Sequence, residues 1–160
     1  MLNEPVNIKK EKWKKNQVKL LSGKKNFPIR PQSAAMELKD DIRKALDVTF
    51  AALSNLNKNF ISTQITLIYL PSIVTSYEWE EPISVHIYQS DGELLVTNSA
   101  NTERSLLIRN SIRKFSKLNK FKFLDLTEVM KKAGREKFIH GPLDFLHLNE
   151  DGYKLVVEVL

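Results

Sequence analysis

Two short runs, ITLIYL at residues 65–70 and FKFLDL at 121–126, limit what this chain can become. The first is almost wholly apolar, the second mostly so, and both are rich in β-branched or aromatic side chains. Neither shows the strict alternation of a strand with one wet face. Runs of this kind are expected as strands buried on both sides, the usual condition of a parallel sheet. Parallel neighbours need a long crossover, most often a helix. The flanking sequence supplies helices. Residues 35–59 set Leu38, Ile42, Leu46, Phe50, Leu53 and Leu56 at helical spacing without a proline. Residues 101–118 give a second amphipathic helix, with Leu106, Leu107, Ile112 and Phe115 on its apolar side. Thr127 is placed to cap a third helix that stops at Gly134, and a last helix begins near Asn149.

The order helix, strand, helix, strand, helix predicts α/β layering with parallel strands. The apolar sides of the first helix and of the last (Leu155, Val156, Leu160) are expected to cover the sheet. Two strands make a small sheet. Either residues 82–97 add to it, as a hairpin turning at Asp91-Gly92, or the chain is the later half of a larger α/β domain. In the second case one sheet edge is open, which invites self-association. Residues 72–82 read as a loop bearing Tyr77 and Trp79.

Charge divides the chain unevenly. Its 160 residues carry a formal net charge of +6. Residues 1–30 hold nine Lys/Arg against two acids, a balance of +7, so the remainder stands at −1. Residues 1–34 therefore read as a basic arm or linker, with GKKNFPIRPQS closing it, and residues 35–160 as the folded α/β part. Such an arm is either a solvated linker outside the core or a contact for phosphate or anionic lipid. No specific nucleic-acid partner is indicated. No cysteine is present, which excludes disulfides, thiolate metal sites and cysteine nucleophiles. No apolar run reaches the length of a transmembrane segment. The N-terminus as written has no export signal, and the compartment stays open.

The chemistry-bearing stretch is GPLDFLHLNEDGY, residues 141–153. Asp144 precedes His147 by three residues in a turn-like loop, close enough for a carboxylate to reach the ring. A carboxylate fixes the tautomer of an imidazole and stabilises the imidazolium formed when the ring takes a proton. The pair is thus suited to act as orienter and general base for a hydroxyl nucleophile. The other reading is a helix start, with Asp144 bonding backbone amides. His140 is expected to shape the same loop, and His86 lies in a strand-like segment. The three histidines are too far apart in sequence to suggest a metal set, and no Gly-rich phosphate loop is present.

FLDLTEVMKKAGREKFIHGPLDFLHLNEDGYKLVVEVL resembles the C-terminal end of the SGNH/GDSL-type serine hydrolases. There a strand ending in LDL is followed by a helix, a D-x-x-H block, N-x-x-G-Y/H and a closing helix. ITLIYLPSIVTSYEW is similar to the preceding core strand of larger bacterial members, which ends in IPS. The likeness spans roughly residues 36–160, and D-x-x-H-x-N-x-x-G-Y is its specific part. It implies part of a three-layer, flavodoxin-like α/β fold with parallel core strands and flanking helices. It implies ester hydrolysis, often of acetyl groups on carbohydrates, through an acyl-enzyme and without metal or nucleotide. Asp144 matches the triad acid and His147 the triad base. The family's GDS block and its G-x-N-D oxyanion block have no counterpart in this sequence, and Ser33 and Ser72 match neither. The expectation is therefore the C-terminal portion of such a hydrolase, as a fragment or degenerate copy, acting on a small-molecule or carbohydrate ester only with a serine block. The alternative is a non-catalytic binding module whose basic arm meets an anionic partner.

Overall fold

A computed structural model describes residues 16–33, 39–87, 93–142 and 145–160. It is a mixed α/β structure with a small parallel sheet and flanking helices. Strands β1 (Gln17–Leu20) and β2 (Gly23–Asn26) form an antiparallel hairpin. The short β3 (Gln32–Ser33) runs parallel to β5 (Ile83–Ile87), and β5 pairs antiparallel with β6 (Glu93–Val96). The parallel pair is β4 (Thr66–Tyr69) and β7 (Lys122–Asp125), in the register Thr66↔Lys122 to Tyr69↔Asp125. The helices are α1 (Lys39–Asn59), the single turn α2 (Ile73–Ser76), α3 (Asn98–Leu118), α4 (Thr127–Glu136) and α5 (Glu150–Val159).

The two apolar runs are thus neighbouring parallel strands, but the expected burial on both faces is not found. Ile68 is 41% exposed and Leu70 49%. Helices α1 and α3 pack together, with Phe50 stacked on Phe115 at 4.3 Å between ring centres. Helix α3 also lies on β7. Residues 82–97 do form a hairpin, whose turn at 88–92 lies outside the described residues.

The main core lies elsewhere. It joins Val18, Leu20 and Phe27 from the N-terminal hairpin to Val74, Tyr77 and Trp79. Ile73 of α2, Ile83 and Val85 of β5, Leu126, Met130 and Ala133 around α4, and Ile139 complete it. This corrects the reading of residues 1–34 as an arm outside the core, for the part from 16 to 33. The hairpin is stitched in by its backbone: Lys19 N–H donates to Glu78 O (2.8 Å), Glu80 N–H to Gln17 O (2.8 Å) and Leu21 N–H to Arg135 O (2.7 Å). The Asn16 side chain donates to Ser84 O (2.7 Å) and accepts from Ser84 N–H (2.8 Å), bonding β5 as another strand would. Phe27 is wholly buried and meets Tyr77, Trp79, Phe138 and Phe145 within 6 Å. Burying an aromatic ring of this size outweighs the solubility of the lysines beside it.

Helix ends differ in detail from the expectations. Thr127 is the first residue of α4 and does not cap it. Asp125 Oδ1 accepts from Thr127 N–H (3.1 Å), and the buried Thr127 hydroxyl has no partner. Gly134 does not stop the helix. It lies inside the last turn, where any Cβ would collide with the Ser76 carbonyl as α2 crosses α4. The start of α5 is as expected: Asn149 is its N-cap and accepts from Gly152 N–H (3.0 Å). Leu155 and Val156 of α5 pack on the main core, whereas Leu160 is 66% exposed, so this helix covers α4 and its surroundings and not the parallel pair.

Candidate active site

The loop between α4 and α5 is closed at its neck. Residues His140 and Leu148 form an antiparallel bridge, Asn149 N–H donates to Ile139 O (2.9 Å), and Gly141 N–H points at His147 O (3.4 Å). The Asn149 side chain also donates to Phe138 O (2.9 Å), so one asparagine ties the neck and caps the helix. Gly141 has φ +80°, a conformation that disfavours side chains bearing a Cβ, and a Cβ there would meet the Phe145 ring at 2.5 Å. Phe145 in turn packs edge-on against Phe27 and Phe138. The loop is thus anchored on both sides of its apex.

Its neck is also pinned from across the chain. The Tyr77 hydroxyl accepts from Ile139 N–H (2.9 Å) and lies 2.9 Å from His140 Nδ1. The hydroxyl thus bonds both the Ile139 backbone and the His140 ring. Burial pushes the Tyr77 phenol up to about 12, against smaller opposing contributions from the backbone of Ile139 and His140. Burial pushes His140 down to about 4. Both groups are therefore neutral at pH 7. Tyr77 follows α2, and α2 follows the carboxyl end of β4. The hydrogen bonds thus tie the loop to the segment leaving that strand, on the side of a parallel sheet where ligands collect.

His147 is exposed beside the neck, in a cleft of about 500 Å³ with Gly141, Pro142, Asn149 and the first turn of α5. Glu150 and Asp151 of that turn are each paired, with Lys154 (2.7 Å) and Lys137 (3.0 Å). Asp144 lies outside the described residues, and so does the expected pairing with His147. His86 sits on β5 opposite Glu93. Ser72 is exposed just past β4, with its hydroxyl 3.1 Å from that of Thr75. Ser33 belongs to β3. Among the described residues no three His, Asp or Glu side chains converge as a metal-binding set. No described helix is long and apolar enough to cross a membrane.

Sequence reasoning missed Tyr77. It stands 62 residues from Ile139 and 63 from His140, with no periodicity linking them. A large aromatic in a stretch read as a loop was the one signal available. Comparison with family models, with curated protein sequences and with solved structures gave no match to this chain.

Proposed function

We propose that this chain supplies the acid and histidine of an SGNH-type serine ester hydrolase, the C-terminal part of a flavodoxin-like domain. Asp144 orients His147, and His147 takes a proton from a serine hydroxyl and returns it to the leaving alcohol. The serine block is not in this sequence. The observation that carries the reading is the layout of D-x-x-H-x-N-x-x-G-Y. Its histidine is exposed at the neck of a closed loop, its asparagine ties that neck and caps α5, and its glycine packs under Ile139 O. Asn149 and Gly152 of the motif thus have tasks at the neck beside His147, while Tyr153 is exposed. The parallel β4/β7 pair with flanking helices is compatible with part of the family's sheet. The binding-module alternative is weakened by two of its lysines, since Lys19 pairs with Glu78 (3.6 Å) and Lys24 with Glu80 (2.9 Å).

The test reads the pair itself. Nitrogen-15 NMR of the His147 ring is expected to show one tautomer, protonated on the nitrogen facing Asp144, and Asp144→Asn should turn it into a mixture. An unchanged ring spectrum in that variant would sink the proposal. The chain alone should hydrolyse 4-nitrophenyl acetate at the buffer rate. Joined to a matching serine block, it should lose about 10³-fold or more in kcat on His147→Ala.

A further inference from the structure

A second cavity, independent of the ester-hydrolase reading, lies where α2, α3 and α4 meet. It measures about 240 Å³. One wall is the face of α3 bearing Asn98, Asn101 and Thr102, which share one side of the helix by spacing. The facing wall is Lys131 and Arg135, four apart on α4 and so also on one side. Thr75 of α2 closes one end, and the buried Tyr77 is part of the lining.

The charge in this cavity is unbalanced. Glu78 is the one carboxylate in the lining. It stands 4.0 Å from Arg135 and also serves Lys19 at 3.6 Å, outside the cavity. Lys131 is half-buried. Lys19 and Arg135 thus share one acid, and Lys131 has no carboxylate partner among the described residues. A partly desolvated ammonium without a counterion favours an anionic guest. Asn98 already bonds the backbone of Trp79, and Asn101 bonds Val74 O and the Thr75 hydroxyl; each amide keeps a second N–H, and Thr102 its hydroxyl, for a guest's hydroxyl groups.

The position is that of a ligand site. Arg109, midway along α3, already reaches Asp125, the last residue of β7, at 3.4 Å. The first turns of α3 therefore overhang the carboxyl end of the parallel pair, and α4 starts from that same end. In open α/β sheets, ligands bind there.

We propose that this cavity binds an oxyanion, phosphate or carboxylate, carried on a small hydroxylated molecule. Lys131 and Arg135 take the anion, while Asn98, Asn101 and Thr102 bond the hydroxyls. The test is calorimetric titration of the full chain at constant ionic strength with glucose 6-phosphate, glucuronate, inorganic phosphate and glucose. One or both of the two sugar anions should bind with 1:1 stoichiometry, inorganic phosphate more weakly and glucose not at all. Preference between the two sugar anions distinguishes phosphate from carboxylate. The double variant Lys131→Gln, Arg135→Gln should weaken binding at least about tenfold. Should that variant fail to fold, amide shift changes in the unmodified chain decide: they should centre on residues 98–102 and 131–135. The proposal is overturned if no anion binds, if the variant binds as well as the original, or if the shift changes centre on the lysines of residues 9–15.

Discussion

At the residue scale, one hydroxyl holds the neck of the candidate loop. Removing it with Tyr77→Phe leaves Ile139 N–H and His140 Nδ1 buried without a partner. The expected cost is about 2–3 kcal/mol of unfolding free energy, read from urea melts. His140 makes stability depend on pH. Its folded value of about 4 lies below the ordinary 6.5, so the unfolded chain binds its proton first as pH falls. Stability from this residue is full above 6.5 and declines toward 4. About 2 kcal/mol should be gone by pH 5 relative to pH 7. His140→Asn should flatten that slope between pH 7 and 5, and an unchanged slope would assign the effect to other groups. Gly134→Ala forces α2 off α4 and should cost about 1–3 kcal/mol. Of these residues, only His140 was visible in the sequence as part of the loop. Tyr77 acts across 62 residues, and the role of Gly134 comes from a crossing that no local pattern encodes.

At the scale of elements, the helices were the most legible. α1, α3 and α5 begin or end close to where spacing and capping residues put them, because long amphipathic repeats and an Asn cap are local signals. The N-terminal hairpin was not legible. Val18 and Leu20 alternate as a half-buried strand should, but four-residue strands between lysines, a glycine and prolines carry too few apolar positions to outvote the charge. Its importance lies in tertiary contact. Phe27→Ala should cost about 3–5 kcal/mol. Deleting residues 1–30 should therefore abolish the cooperative melting transition seen by circular dichroism. A truncated chain that melted as the full one does would show that the hairpin is dispensable.

At the scale of the whole molecule, the parallel pair is less covered than its composition predicts. The order of elements around it follows the reading of the sequence, while its depth does not. Apolar composition reports what a strand is suited to touch, and coverage depends on whatever else is present. Among the described strands β4 pairs with β7 alone, and no charged residue or proline falls within Thr66–Tyr69 to blunt its edge. The expected outcome is self-association that rises with concentration in sedimentation velocity. Ile68→Lys should return the chain to monomer. A monomer at every concentration before mutation would mean that this edge is already protected.

The closed neck of the loop has a consequence for how such a protein can be altered. Because Ile139 and Asn149 are bonded to each other and Tyr77 holds their side from the core, the chain between residues 142 and 145 enters and leaves at fixed points. Lengthening it there changes only the entropy of a loop whose ends are already joined, roughly 0.6 kcal/mol for each doubling. The reach of the loop's apex over neighbouring surface can therefore drift, or be engineered, almost separately from the stability of the body that carries it.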